Sequence, residues 1–169
     1  MNLRIGNGFD IHRFSEDPDR PLVLGGIEFP GEAGLEGHSD ADVLAHAVSE
    51  ALLGAAALGD LGSHFPDTDP AWAGADSMDL LGEVVAMVSA AGWRVANVDC
   101  SLLAERPKLA PRRDAVEASL RAVVGAPVTV KGRRGEGLGA LGRGEGIACL
   151  ASALLVSSAS GDGGEAGPR

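Results

Sequence analysis

The spacing of apolar residues along the chain predicts three helices, at about residues 39–58, 77–92 and 111–125. The first two segments repeat apolar residues at intervals of three and four, and the third lies between a proline and a glycine. Ser39 and Ser77 are the expected N-caps, because a serine hydroxyl can accept a hydrogen bond from an N–H of the first turn. The pattern therefore predicts helices that bury one side.

Continuous apolar runs predict the strands. The expected strands are residues 2–14, 93–103, 128–130 and 147–156. The first strand contains Gly6 and Gly8, where we expect the chain to turn. Gly25 and Gly26 stand between two short apolar runs and predict a two-residue β-hairpin. This order of elements favours an α+β or α/β fold in which helices cover one face of a mixed sheet.

The length of the chain, 169 residues, suits one domain. We expect that domain to span residues 1–156 and the Gly-, Ser- and Ala-rich residues 157–169 to form a disordered tail. A sheet covered on one face only leaves the other face open. The apolar strands at 93–103 and 147–156 lead us to expect that self-association buries it.

Composition narrows the range of functions. The net charge of −10 disfavours a general nucleic-acid-binding protein, because such proteins need a basic surface. The sequence has no 18-residue apolar run for a membrane span, and its first residues lack the apolar core of a signal peptide, so we expect a cytoplasmic location. Cys100 and Cys149 are expected to be buried thiols, although the sequence leaves a disulfide open.

Two loops and several basic clusters suggest a small anionic substrate. Basic residues gather at 106–108, 112–113 and 131–134. Residues 132–146 are rich in glycine and arginine, which is typical of backbone that approaches an anion closely. Residues 63–75 form another long loop, and loops of that length often act as lids.

Asp10 and His12 offer the clearest candidate chemistry. Residues two apart on a strand point to the same side, so this carboxylate and imidazole suit a divalent metal such as zinc. His46 is the best candidate for a third ligand, with Asp42 or Glu50 orienting its imidazole. The alternative interpretation is a solvated helix face with an ordinary i,i+4 pair. A metal site and an anion loop together indicate phosphate chemistry, including that of a zinc-dependent phosphohydrolase, without selecting one reaction.

Seven motifs follow one another in unbroken order between residue 4 and about residue 155. They include Arg-Ile-Gly-x-Gly-Phe-Asp-x-His-x-Phe at 4–14 and Gly-His-Ser-Asp-x-Asp-Val-x-x-His at 37–46. The other motifs lie at residues 53–62, 65–70, 97–99, 107–108 and 142–147. In all of them the chain resembles the 2-C-methyl-D-erythritol 2,4-cyclodiphosphate synthase family, which serves non-mevalonate isoprenoid biosynthesis.

The resemblance implies a reaction and its metals. The family converts 4-diphosphocytidyl-2-C-methyl-D-erythritol 2-phosphate into the cyclic diphosphate and releases CMP, as the 2-phosphate attacks the β-phosphorus. Asp10, His12 and His46 match the family's zinc ligands, which favours the metal interpretation of this triad. Glu136 matches the residue that carries magnesium or manganese on the substrate diphosphate.

The resemblance also assigns residues to the substrate. His38 and Ser39 would lie beside the transferred phosphate, and Asp60 and Gly62 would hold the methylerythritol hydroxyls. The residues expected to close over the site are Phe65, Pro66, Asp67 and Asp69. The residues that match the cytidine-binding segment are Ala104, Lys108 and Leu109.

A quaternary structure is implied as well. Members of the family form a bell-shaped homotrimer whose sheets face the threefold axis and whose active sites lie between subunits. An apolar cavity on that axis is linked to isoprenoid diphosphates. Arg143 matches the arginine of that cavity, with Phe9 and Glu145 as its partners.

Several positions depart from the family. Residues 132–135 are Gly-Arg-Arg-Gly where threonines are usual, so Arg133 and Arg134 join the expected substrate-binding residues. Arg134 stands where a threonine hydroxyl contacts the diphosphate, and an arginine there could make a charge-assisted contact or swing away and leave a gap. Ala140 replaces an aromatic residue and Glu50 an aspartate. The alternative to an active synthase is a catalytically silent trimer that binds isoprenoid diphosphates.

Overall fold

A four-stranded mixed sheet forms the centre of the molecule in a computed structural model that describes residues 2–158. The sheet strands are β1 (Leu3–Arg13), β4 (Trp93–Leu103), β5 (Val128–Arg133) and β6 (Gly146–Ser157), and a separate hairpin contains β2 (Val23–Leu24) and β3 (Ile27–Glu28). The strand order is β1-β6-β4-β5, and only β4 and β5 run parallel. A parallel pair needs a long crossover, which the helix between these two strands provides. The predicted α+β class with a mixed sheet is confirmed.

Helices cover one face of this sheet. The helices are α1 (Val43–Ala56), α2 (Leu61–His64), α3 (Ser77–Ala90), α4 (Arg113–Val124) and α5 (Gly139–Gly142), with single 3-10 turns at Pro70–Trp72 and Ala110–Arg112. Helix α1 packs across β1 and β6, whereas α3 and α4 contact β4 and β5 respectively. The predicted loops therefore contain short helices: α2 and a 3-10 turn lie in or beside residues 63–75, and α5 lies within residues 132–146.

Gly6 and Gly8 are not turns, contrary to our expectation. Strand β1 continues through both, paired in register with β6 from Leu3 to Arg13. Their role is to let α1 approach: a Cβ added to Gly8 would lie 2.6 Å from the backbone nitrogen of Ala51 and closer still to the carbonyl oxygen of Ala47. Glycine inside a strand often marks such a close backbone approach.

The N-caps are aspartates, so the prediction of Ser39 and Ser77 as caps is wrong. Asp42 caps α1 by accepting hydrogen bonds from the N–H groups of Leu44 and Ala45 at 3.1 and 3.2 Å. Asp76 caps α3 in the same way, accepting from the N–H of Met78 at 2.8 Å. Both serines instead point their hydroxyls at a histidine in the candidate site, described below.

Asp42 also joins α1 to the hairpin. Its two carboxylate oxygens accept hydrogen bonds from the N–H groups of Gly25 and Gly26 at 2.8 and 2.7 Å. Both glycines have positive φ, at 60° and 73°, as the predicted two-residue turn requires. The carboxylate is fully buried, so the hairpin and the start of α1 form one unit.

The sheet face opposite the helices exposes a row of large apolar side chains. Its members include Ile5, Phe9, Ile11 and Leu150, which are between 45% and 79% exposed. Cys100 and Cys149 are buried and free, so no disulfide joins them. Within residues 2–158, no helix is long and apolar enough to cross a membrane. Of the predicted tail, Ser157 still belongs to β6 and the N–H of Ser158 donates to the carbonyl oxygen of Gly92, whereas residues 159–169 lie outside the described residues.

Candidate metal centre and substrate cavities

Asp10, His12 and His46 come together where α1 crosses β1. The strand period of two places Asp10 and His12 on the same side of β1, and α1 brings His46 to them. The helix lies close enough because Gly8 opposes Ala47, the residue after His46, without a side chain between them. The three ligand atoms lie within 4.8 Å of one another, and no other group of three or more His, Cys, Asp or Glu residues does so in the described part of the chain.

The dimensions of this triad fit a tetrahedral metal ion. Asp10 Oδ2 lies 3.0 Å from His12 Nε2 and 3.0 Å from His46 Nδ1, and the two nitrogens are 3.3 Å apart. Tetrahedral zinc with bonds of roughly 2.0–2.1 Å separates its ligand atoms by about 3.3 Å. One carboxylate oxygen and two imidazole nitrogens are a zinc-type donor set that leaves a fourth position open.

Each imidazole uses its other nitrogen to hold its orientation. His12 Nδ1 lies 2.8 Å from the carbonyl oxygen of Glu36, which can only accept, so His12 donates there and keeps the Nε2 lone pair for a metal. His46 Nε2 lies 2.9 Å from Ser77 Oγ and 3.2 Å from Ser39 Oγ. These hydrogen-bond partners hold the two imidazole rings of the triad in their orientations.

Asp42 and Glu50 do not orient His46, contrary to our expectation. The carboxylate of Asp42 is directed at the hairpin and at its own helix end. Glu50 accepts a hydrogen bond from the N–H of Leu61 at 2.9 Å and so holds the start of α2. Helical spacing places both residues on the polar side of α1. It does not show that their carboxylates accept hydrogen bonds from N–H groups of the hairpin and of α2. Ser77 is the residue that contacts His46 in the structure without having been expected in the site from the sequence.

The surroundings of the triad lower the pKa of Asp10 and raise the pKa of His12. Burial raises the pKa of Asp10, but hydrogen bonds with His12 and His46 outweigh burial and hold that pKa well below its ordinary value. Burial lowers the pKa of His12, but the neighbouring Asp10 carboxylate outweighs it and raises that pKa above 6.5. The Asp10 carboxylate therefore favours positive charge at this position, whether on His12 or on a bound metal ion.

A cavity of about 470 Å³ opens beside the triad, and both of its histidines line it. The predicted site residues that line this metal-side cavity are His38, Ser39, Gly62, Phe65, Pro66 and Asp67. Phe65 packs edge-on against Trp72, with ring centroids 5.1 Å apart, and gives one wall an apolar surface. The cavity therefore combines a metal corner with a loop of residues 61–72 above it.

Asp60 and Asp69 do not line the metal-side cavity. Asp60 is exposed and caps α2, accepting from the N–H and hydroxyl of Ser63 at 2.8 and 2.7 Å, and these hydrogen bonds lower its pKa. Asp69 caps the 3-10 turn by accepting from the N–H of Ala71 at 2.9 Å, and its carbonyl oxygen lies 3.3 Å from His38 Nε2. Both carboxylates thus hold the shape of the loop beside this cavity.

A second cavity, of about 270 Å³, lies between the end of β5 and the segment after β4. The predicted residues that line this basic cavity are Ala104, Lys108, Leu109, Arg133 and Arg134. Arg113, from one of the predicted basic clusters, lines it too, as does Glu105, which no sequence pattern singled out. Glu105 accepts a hydrogen bond from the N–H of Gly135 at 2.8 Å and so fixes the turn after Arg134. The basic cavity and the metal-side cavity share no lining residue within one chain.

Glu136 and Arg143 lie outside both cavities. Glu136 is exposed on the turn after β5 with a positive φ of 52°, and it is not part of the metal-ligating triad. Arg143 is exposed and pairs with Glu145, with 2.6 Å between Nε and Oε1. Arg143 therefore meets one of the two partners that the resemblance assigns to it, whereas Glu136 lies apart from the residues of the basic cavity.

Comparisons with known proteins agree with this geometry. The family model described as the YgbB family matches residues 3–156. A 2-C-methyl-D-erythritol 2,4-cyclodiphosphate synthase of Burkholderia thailandensis is 54% identical over 162 residues, which cover 94% of this chain and 99% of the relative.

Two solved structures share the fold. The bifunctional IspDF of Campylobacter jejuni is 40% identical with a TM-score of 0.87 and covers 92% of this chain, which spans 42% of that longer protein. A 2C-methyl-D-erythritol-2,4-cyclodiphosphate synthase in its CDP-bound form is 38% identical with a TM-score of 0.82, over 90% of this chain and 100% of that one. From these matches, together with the triad and its cavity, it follows that this chain belongs to the YgbB family, that of the 2-C-methyl-D-erythritol 2,4-cyclodiphosphate synthases.

Proposed function

We propose that this chain converts 4-diphosphocytidyl-2-C-methyl-D-erythritol 2-phosphate into 2-C-methyl-D-erythritol 2,4-cyclodiphosphate and CMP. In this reaction an oxygen of the 2-phosphate forms a bond to the β-phosphorus. The bond from that phosphorus to the oxygen bridging it to the α-phosphorus breaks, and CMP leaves with the bridging oxygen. The substrate supplies its own nucleophile, so catalysis is positioning and charge neutralisation rather than covalent chemistry by the protein.

The observation that carries this proposal is the Asp10, His12 and His46 triad at one corner of the metal-side cavity. Its distances of 3.0 to 3.3 Å and its donor set fit zinc. A zinc ion bound there would supply Lewis-acid charge for a phosphate oxygen at the open fourth position. Ser39 and His38 line the same cavity and can donate hydrogen bonds to phosphate oxygens.

The basic cavity would receive the nucleotide half of the substrate. Lys108, Arg133 and Arg134 bring positive charge to it, which suits a diphosphate. Arg134 lines the cavity in this structure, which favours the interpretation that it replaces the usual threonine as a phosphate contact. Glu136, on the same turn, would hold a magnesium or manganese ion, which would neutralise negative charge on the diphosphate. The CDP-bound relative supports a cytidine nucleotide as the ligand.

The assembly we propose is a homotrimer. One substrate must reach both cavities, which share no lining residue in one chain, so a neighbouring copy would supply the basic cavity. The uncovered sheet face, with Ile5 79% and Phe9 58% exposed, is the apolar surface that such packing would bury around the axis. Arg143 and Glu145 would then stand near an axial cavity for an isoprenoid diphosphate. We place the enzyme in the cytoplasm.

The test is turnover of the purified substrate with zinc and magnesium, following CMP and the cyclic diphosphate by ³¹P NMR. We expect both products in equal amounts. Arg134→Thr should lower kcat/KM by about tenfold, because a charge-assisted hydrogen bond contributes more than about 1.4 kcal/mol. Arg121→Thr, which removes an exposed arginine of α4 paired with Glu117, is the matched control.

Other products would separate the alternatives. CMP without cyclic product, or inorganic phosphate, would indicate a zinc-dependent hydrolase. Binding of an isoprenoid diphosphate without turnover would indicate a catalytically silent trimer. Gain of turnover in Arg134→Thr over an inert wild type would mean that Arg134 blocks the nucleotide rather than binding it.

A further inference from the structure

We infer that Asp40, acting through Ser77, fixes the tautomer of His46 and thereby sets the metal affinity of the triad. Asp40 is a positioning residue, since its carboxylate contacts Ser77 rather than any triad residue. The inference rests on the metal site of the proposed function but not on the cyclisation itself.

Asp40 binds the first residue of α3 through both carboxylate oxygens. Oδ1 accepts a close hydrogen bond from the hydroxyl of Ser77, and Oδ2 accepts from the N–H of the same residue at 3.2 Å. The N–H of Asp40 donates in turn to the carbonyl of Ala75 at 3.1 Å. The loop before α1 and the start of α3 are therefore tied together at Ser77, whose side chain is fully buried.

The direction of each hydrogen bond follows from the number of protons. An ionised carboxylate has no hydrogen to donate, and a serine hydroxyl has only one. Ser77 gives its hydrogen to Asp40, so its oxygen can only accept from His46 Nε2, 2.9 Å away. His46 must then carry its hydrogen on Nε2, which leaves the lone pair of Nδ1 directed at Asp10 Oδ2 and the metal position.

Ser39 cannot fix this direction alone. Its oxygen lies 3.2 Å from His46 Nε2 and 3.3 Å from Ser77 Oγ, and it accepts from the N–H of Ala41 at 3.2 Å. Its own hydrogen remains available to either neighbour, so it could donate to His46 and favour the opposite tautomer. Only the serine that is committed to a carboxylate excludes that tautomer.

The test measures zinc affinity without substrate, by competition with a chromophoric chelator on the full chain. We expect Ser77→Ala to raise the zinc Kd by about 10- to 100-fold, the usual effect of removing a group that orients a metal-ligating histidine. Asp40→Asn should raise it by about tenfold, because a neutral amide orders the serine hydrogen less strongly. Asp76→Ala removes the cap of the same helix end, yet its side chain bonds to Met78, so we expect its Kd to stay within about threefold of wild type.

A second measurement reports the tautomer directly. In ¹H–¹⁵N NMR spectra of the metal-free protein at alkaline pH, we expect the Nε2–H form of His46 in wild type and a growing Nδ1–H population in Ser77→Ala. The inference is overturned if wild type binds no zinc, if Ser77→Ala keeps wild-type zinc affinity, or if Asp76→Ala loses as much affinity. If the Nε2–H form of His46 persists in both Ser77→Ala and Asp40→Asn, the inference is overturned as well. Zinc binding with these effects but without CMP release would leave the inference intact and refute the proposed reaction.

Discussion

Replacing Gly8 by alanine should damage the metal centre by pushing α1, which carries His46, away from the side of β1 that carries Asp10 and His12. The added Cβ would lie 2.6 Å from Ala51 N, whereas ordinary contact begins at 3.4 Å, so α1 must move by about 0.8 Å or more. His46 lies in that part of α1. The distances between a metal ion and its ligands must stay within about 0.2 Å of their usual values. We therefore expect the zinc Kd to rise by more than about tenfold.

The same change should lower the free energy of unfolding. Overpacking of a tight contact typically costs about 1–3 kcal/mol, and here the contacts are backbone atoms that cannot rotate away. Gly54→Ala is the matched control, because Gly54 is on the same helix and an added Cβ meets its nearest atom, Asn7 O, at 3.9 Å. That variant should gain up to roughly 1 kcal/mol, since alanine favours a helix interior more than glycine.

Urea denaturation and chelator competition measure the two effects separately. If Gly8→Ala unfolds within about 0.5 kcal/mol of wild type and binds zinc equally well, then the close approach of α1 to β1 does not position the triad. If Gly54→Ala is as damaging as Gly8→Ala, the effect belongs to helix α1 in general.

Two further predictions concern protons and capping. Zinc binding requires neutral His12, whose pKa lies above 6.5 in the metal-free protein, so zinc affinity should fall about tenfold per pH unit below that raised pKa. The metal-free protein has the opposite dependence: stability from the protonated His12 is fully present below about pH 6.5 and is lost as pH rises through the folded pKa. The zinc-induced increase in Tm should therefore grow as the pH rises from below about 6.5 through the folded pKa of His12, and a constant increase would contradict this assignment. Asp42→Ala should cost about 3–5 kcal/mol in urea denaturation, since it removes the α1 cap and leaves the buried N–H of Gly25 and the part-buried N–H of Gly26 without their acceptor. Asp42→Asn should cost clearly less, because the amide keeps one accepting oxygen, and equal losses would argue against the hydrogen bonds as the cause.

Local pattern predicted the elements well but not their ends. The helices and strands appear because apolar periodicity is a local property of the sequence. The predicted caps failed because capping depends on where the backbone enters the helix: Ala41 has a positive φ of 59°, so α1 cannot extend back to Ser39. The hydroxyl oxygens of both serines lie beside His46 Nε2 instead.

The sequence predicts those parts of the candidate site that depend only on residues close together in the chain. The period of a strand places Asp10 beside His12, and any two such residues would share a side. The third ligand depends on the distance between α1 and β1, which Gly6 and Gly8 set by lacking side chains. A sequence pattern shows those glycines but not what they face, and on pattern alone glycines predict turns. The positions of Ser77 and Asp40 depend on how α3 packs beside α1, and no periodicity carries that information.

A chain with a net charge of −10 must still attract a substrate that carries several phosphate charges. Charges exposed to solvent are screened within about 8 Å at physiological salt, so the distant acidic surface matters less than the groups that touch the ligand. Those groups are few: the metal position on one side, and Lys108, Arg113, Arg133 and Arg134 around the basic cavity on the other. Glu105 is the one acidic side chain lining that cavity, and its hydrogen bond to Gly135 turns it toward the backbone. Substrate affinity should therefore respond strongly to the loss of one cavity arginine and only weakly to the loss of a distant acidic residue such as Glu83.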